Sequence, residues 1–154
     1  MHPSMLWWER LTKVSLARKG LQSALSRLVS ETLFRELLAQ ERLRSERSGN
    51  HYRVLLVYVS DGSGVATPMK RELSGRILAV LSASLRKTDQ IGWYREGKIM
   101  GALLTHMGSE VGLGQCRVLV GRLNPMLQAE LPDTYESLRL NICTPEEVLE
   151  FDGY

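Results

Sequence analysis

Arg86-Lys-Thr-Asp-Gln-Ile-Gly-Trp-Tyr-Arg-Glu-Gly-Lys-Ile-Met-Gly-Ala-Leu-Leu104 reads as the end of a helix, a short strand, a tight turn centred on Glu96-Gly97, and a second strand. Ile91, Trp93 and Tyr94 precede the turn, and Ile99, Ala102, Leu103 and Leu104 follow it. Apolar arms around a charged, glycine-bearing tip are the pattern of a β-hairpin whose strands are buried and whose turn meets solvent.

Upstream, Arg53 to Ser60 (Arg-Val-Leu-Leu-Val-Tyr-Val-Ser) is a β-branched apolar run, as expected of a central strand covered on both faces. It ends in Asp61-Gly-Ser-Gly64, which reads as a plain turn; without the lysine and spacing of a P-loop it is a weak phosphate cradle. Pro68 opens a helix reaching about Arg86, with Leu73, Ile77, Leu78, Val80, Leu81 and Leu85 on its core face. Before the strand, apolar residues at 21, 25, 28, 29, 33, 37 and 38 predict one amphipathic helix from Leu21 to about Arg47, with Glu31 and Arg35 as an i,i+4 pair and a stop at Ser48-Gly49-Asn50. Beyond the hairpin, His106–Gly114 reads as a loop. A helix from about Leu113 to Leu131 follows, kinked or split at Pro125, and then an alternating strand Ser137–Cys143 and a single turn at Pro145–Leu149.

The order is a helix followed by β-α-β-β-α-β. It predicts an α+β fold of the ferredoxin-like or nucleotide-cyclase palm type, a mixed and mostly antiparallel sheet with helices on one face. Residues 1–49 form the helical lead-in and 50–154 the sheet domain.

A length of 154 residues suits one domain with an appendage, and 44% hydrophobic with 24% charged residues is ordinary for a globular chain. No apolar run reaches the roughly 20 residues that span a bilayer, and Met1–Arg10 lacks the pattern of a secretory signal. A cytoplasmic location follows as the expectation, with Cys116 and Cys143 as free thiols. Residues 1–53 carry 10 Lys/Arg against 5 acids, and 125–154 carry 1 against 7. The glutamates interspersed in the basic front favour a solvated helix face over a nucleic-acid surface. Residues 1–19, with Trp7 among basic residues, fit a docking helix better than a membrane anchor. His51 and His106 have no paired ligand spacing, and neither Ser60 nor Ser63 has a nucleophile's partners.

Ser84-Leu-Arg-Lys-Thr-Asp89, five residues ending in an aromatic at Tyr94, the turn, and an apolar strand together resemble the core of GGDEF (diguanylate cyclase-like) domains, over roughly residues 50–144. The resemblance implies a degenerate member. The signature turn is here Arg95-Glu96-Gly97-Lys98-Ile99, with Lys98 where the family has a metal-binding acid. The family's Asp-x-Asp at the end of the first strand aligns with Tyr58 and Ser60. A phenol, a hydroxyl and an ammonium do not supply the hard, near-octahedral oxygen shell of Mg²⁺, and Asp61 alone is a poor substitute. No catalytic residues, metal or cofactor are therefore expected, and the chain is read as not an enzyme.

Arg86 and Asp89 match the family's inhibitory R-x-x-D site, which implies a cyclic di-GMP receptor: the guanidinium would fork onto guanine or phosphate and the carboxylate would accept from the guanine edge. Arg95 and Arg117 are candidates for a further stacking cation. The residue-level alternative is that Arg86 faces a helix C-terminus and Asp89 closes a turn. The lead-in helix adds a resemblance to degenerate cyclase-like domains of bacterial exopolysaccharide synthesis. The competing reading is a structural, dimerisation or protein-docking module that binds no nucleotide, its partner another protein or a second copy.

Overall fold

The computed structural model describes residues 24–105 and 109–151. The expectation for residues 1–19 and for His106 lies outside them. The elements are β1 (Leu28–Val29), α1 (Glu31–Ser48), β2 (Arg53–Ser60), β3 (Ala66–Thr67), α2 (Arg71–Ser84), β4 (Gln90–Arg95), β5 (Ile99–Leu104), α3 (Ser109–Glu130), a 3₁₀ turn (Tyr135–Ser137), β6 (Leu138–Cys143) and α4 (Pro145–Phe151). Central β2 runs antiparallel to β5 on one side and to β6 on the other. β4 pairs antiparallel with β5, and β1 pairs parallel with the outer edge of β4. Val59 has both Thr67 and Leu138 as partners, so β3 continues the β5 side of β2. This is the β-α-β-β-α-β order and mostly antiparallel sheet that the hydrophobic pattern predicts.

The two faces of the sheet carry separate cores, because successive side chains of a strand point opposite ways. Leu55 and Val57 of β2 join Met100, Ala102 and Leu104 of β5 beneath α2 and α3. Val54, Leu56 and Tyr58 join Tyr94, Ile99 and Leu103 on the other face. That second face is covered by α1, through Phe34, Leu37 and Leu38, and by α4, through Val148 and Phe151. The one-face helix layer expected for the palm holds for α2 and α3, and α1 and α4 form a second layer. Among the described residues no helix is long and apolar enough to cross a membrane.

Four boundaries differ from the sequence expectation. The helix read as continuous from Leu21 is interrupted: Ala24 and Leu25 are helical, Ser26 and Arg27 turn, and Leu28-Val29 form β1. Ser30 then caps α1, its Oγ accepting from the Leu33 N–H at 3.2 Å. α2 begins at Arg71 rather than Pro68, because Ala66-Thr67 pair with β2 first. α3 begins at Ser109 and is continuous through Pro125, where the proline removes one backbone hydrogen bond without splitting the helix. α4 is longer than one turn because Thr144 and Glu147 form a capping box. The Glu147 N–H donates to Thr144 Oγ1 at 3.2 Å, the Thr144 N–H to Glu147 Oε1 at 3.4 Å, and Pro145 takes the first helical position. The expected stop of α1 is present, with Gly49 at φ 74° donating to Ser45 O.

α1 meets the sheet through one ring. Gly92 and Gly101 are cross-strand partners, and Phe34, fully buried, lies over both. A Cβ on Gly92 would come within 2.7 Å of Phe34 Cδ2, and one on Gly101 within 2.7 Å of Phe34 Cε1. Phe34→Ala is expected to cost about 3–5 kcal/mol by emptying this seat, and Gly101→Ala about 1–3 kcal/mol by overfilling it. Denaturant unfolding of the two single variants and the double variant checks this. The double variant should lie well short of the sum, and strict additivity would show that ring and glycine do not meet.

Candidate functional site

The hairpin turn is held from three directions. Gly97 has φ 75°, a left-handed conformation suited to glycine, and the Lys98 N–H donates to Arg95 O at 3.0 Å. The Met69 N–H donates to Gly97 O at 2.8 Å, and the Glu96 N–H to Glu31 Oε1 at 2.7 Å. Tyr94, two residues after Gly92 and on the same face, lies in the second core, where the Arg35 guanidinium is 4.7 Å from its ring centroid, and a bulge interrupts the register between Trp93 and Arg95. Glu31 also faces Arg35 across 4.0 Å, as the i,i+4 spacing predicts.

Tyr58 pairs directly with Ile99. The sheet thus brings Tyr58, Ser60 and the Arg95–Ile99 turn to one end. Tyr58 is buried, its hydroxyl accepts from Asn141 Nδ2 at 3.1 Å, and its ring lies 5.8 Å from that of Phe151. Ser60 Oγ donates to Ser137 O at 3.5 Å, and Lys98 is exposed. Among the described residues no group of three His, Cys, Asp or Glu side chains is placed to hold a metal ion. Asp61, beside this end, is engaged in its own turn. Its Oδ1 accepts from the Ser63 N–H at 2.8 Å, from Ser63 Oγ at 2.6 Å and from the Val65 N–H at 3.1 Å. These bonds, that of the Ser63 hydroxyl foremost, hold its carboxyl below the usual aspartate value. The Asp61–Gly64 segment is a turn, with the Ser63 and Val65 N–H groups directed at Asp61.

Arg86 and Asp89 stand at the opposite end of β4, about 17–20 Å away along a strand of this length. They contact each other. The Arg86 N–H donates to Asp89 Oδ2 at 3.0 Å, and Arg86 Nη2 lies 3.5 Å from Asp89 Oδ1. The Asp89 side chain is 3% exposed and that of Arg86 53% exposed, so the carboxylate is interior and the guanidinium meets solvent. Arg86 Nη2 also donates to Thr105 O at 2.7 Å. This is the geometry of a closed turn at a helix end, with one cation displayed on it.

Two further arginines shape the loop, and the sequence did not single them out. Arg27 donates through Nη2 to Arg86 O at 2.7 Å and Asp89 O at 3.0 Å, and through Nη1 to Ser82 O at 3.1 Å. It binds the carbonyls at the end of α2 across 55 to 62 residues of chain. Arg122 of α3 donates to Ser84 O at 2.8 Å. A cleft of about 600 Å³ opens beside Arg122, bordered by Leu85, Leu104 and Leu119 with Arg86, Asp89 and Arg122 at its polar side. Arg122, rather than Arg95 or Arg117, is the second cation at this cleft. No sequence signal marks it, because its contact closes 38 residues of chain.

Both cysteines are free. Burial pushes the Cys143 thiol up to about 11, with Glu147 adding to the rise, and burial raises Cys116 as well. A thiol with a raised folded-state value stays protonated in the native state, so its contribution is intact at neutral pH and is lost as pH climbs from an unfolded thiol's value toward 11.

No family model matches the chain, and no curated protein does. The architecture is the mixed α+β arrangement of the nucleotide-cyclase palm. Among solved structures it is similar to the diguanylate cyclase SiaD in complex with its activator SiaC from Pseudomonas aeruginosa, with a TM-score of 0.51 and 17% identity over 79% of this chain and 51% of that one. The chain spans about half the length of the structure it matches. At this identity the likeness is one of fold, the GGDEF-like fold.

Two outcomes follow from the loop and the thiols. Arg27→Ala should speed hydrogen exchange at the Asp89 amide, while exchange in central β2 changes little. Equal protection in both proteins would mean that the clamp contributes nothing. At pH 8 a maleimide should modify Cys116 well before Cys143, and the reverse order would contradict the burial of Cys143.

Proposed function

We infer that this chain is a GGDEF-like regulatory domain that does not make cyclic di-GMP, with residues 1–49 leading into it and 50–154 as the domain proper. The observation that carries this reading is the side-chain set gathered at one end of the sheet. Tyr58, Ser60 and Lys98 occupy the positions that the sequence resemblance aligns with the family's acids, and Tyr58 is packed against Phe151 and bonded to Asn141. A buried phenol and an exposed ammonium offer Mg²⁺ no pair of carboxylates, and without a metal neither the attacking hydroxyl nor the triphosphate is prepared for phosphoryl transfer.

At the other end, Arg86 is the residue proposed to read cyclic di-GMP. Its exposed guanidinium borders the 600 Å³ cleft, where a planar fork suits guanine O6 and N7 or a phosphate. Asp89 is proposed to position Arg86, and ligand acceptance by its carboxylate would require the Arg86 bonds to open. The reading includes assembly with a protein partner or a second copy, in the setting of bacterial exopolysaccharide synthesis; polysaccharide-assembly genes beside this one would support that setting.

Calorimetric titration of the full chain with cyclic di-GMP tests the receptor. Saturable heat at micromolar concentrations is expected, with a loss of tenfold or more in Arg86→Ala, on the order of one charged hydrogen bond. Absence of heat, or binding untouched by the substitution, would reject it. Incubation with GTP and Mg²⁺ should yield no cyclic di-GMP by chromatography, and a product peak would reject the inactive assignment.

A further inference from the structure

The two edges of the sheet are finished differently. The outer edge of β4 is covered by β1, where Leu28 and Val29 pair with Ile91 and Gly92. β6 pairs with β2 over Leu138–Cys143 in one unbroken register, and among the described residues no strand lies on its other side. Half of the backbone groups of an antiparallel edge strand point away from its neighbour, so such a strand is a template for another. Proteins blunt such edges with charged side chains, lysine above all, with proline or with a bulge. β6 (Leu-Arg-Leu-Asn-Ile-Cys) has no lysine, proline or bulge. Its single charge, Arg139, folds back onto its own chain, with Nη1 donating to Glu136 O at 2.8 Å and to Leu138 O at 3.1 Å.

Clefts flank this strand on both faces. Between β6 and α3, one of about 360 Å³ is bordered by the half-buried Val120, Tyr135 and Leu140, with Asn124 and Glu136 at its polar side. Between β6 and α4, one of about 380 Å³ is bordered by Asn141, Phe151 and the exposed Glu147 and Glu150. Side chains of an added strand alternate between the faces, so one set would fall against Val120, Tyr135 and Leu140 and the other against the two carboxylates.

We propose that the β6 edge receives an extended segment of a partner protein by strand addition, and that this segment alternates apolar residues with lysine or arginine. A second copy of this chain fits less well. Pairing β6 with its own two-fold mate would bring α4 of both copies, with Glu147 and Glu150, onto one face, placing like charges together. A basic strand meets the same carboxylates with opposite charge.

The test uses a fluorescent eight-residue peptide alternating valine and lysine, titrated with the full chain at low ionic strength and followed by anisotropy. Two comparison peptides carry glutamate in place of lysine, or methyl groups on alternate backbone nitrogens. Saturable binding of the valine–lysine peptide is expected, about tenfold or more stronger than either comparison, with slowed hydrogen exchange in β6. Glu150→Lys, an exposed substitution whose folding is verified by its melting curve, should weaken that peptide by up to about fivefold, the scale of one exposed ion pair. Three results would overturn the proposal: no saturable binding at millimolar peptide, equal binding of the methylated peptide, or a dimer in sedimentation that protects the β6 amides without any peptide.

Discussion

Phe34 sits where two adjacent strands have no side chains. Gly92 and Gly101 face each other across β4 and β5, and the ring fills the space that two Cβ atoms would otherwise take. The glycines let α1 approach the sheet more closely than it could over any larger pair. That approach has local consequences. With Phe34 seated, Glu31 is one turn away and reaches the backbone of the hairpin turn, and Arg35 lies over Tyr94. α1 is therefore fixed to the sheet in its first turns, by the seated ring and by the polar contacts of Glu31 and Arg35.

Both ends of β4 are held from the same few residues. Arg27 grips the carbonyls before the strand, Leu28 and Val29 pair along it, and Glu31 accepts a hydrogen bond from the turn after it. A five-residue segment thus spans the length of the hairpin's outer strand. The Arg86–Asp89 loop and the Arg95–Ile99 turn stand at opposite ends of that strand, so the segment touches the frames of both.

The hairpin, the central strand and the helices before and after the hairpin, α2 and α3, were legible because each carries a sustained apolar pattern. Where two signals competed, the stronger period hid the weaker. Leu25, Leu28, Val29 and Leu33 keep helical spacing across Ser26-Arg27, which masked a two-residue strand and the Ser30 cap. The Thr144-x-x-Glu147 box with Pro145 was present in the sequence and marks α4, although only one turn was read there. Pro125 does not split α3, which is continuous from Ser109 to Glu130. Arg27 and Arg122 could not be found, since an arginine with partners 38 to 62 residues away has no local signature. The motif pair Arg86 and Asp89 was found as letters; that its carboxylate faces inward and its guanidinium outward is a fact of three dimensions.

The position of β2 at the centre of the sheet governs the order in which the chain can fold. Of its eight residues, Val59 and Ser60 have a partner nearby in sequence, in β3. Its long ladders are with β5 and with β6, and the Tyr58–Asn141 bond alone closes 83 residues. On a ribosome adding about 5–20 residues per second, those 83 residues take roughly 4–17 s to appear. During that interval Val54-Leu-Leu-Val-Tyr58, five consecutive residues that are buried once folded, have no β6 to cover them. A strand of this kind is an aggregation hazard while it waits. Birth of the chain, more than its finished stability, is the stage at which this architecture is most exposed.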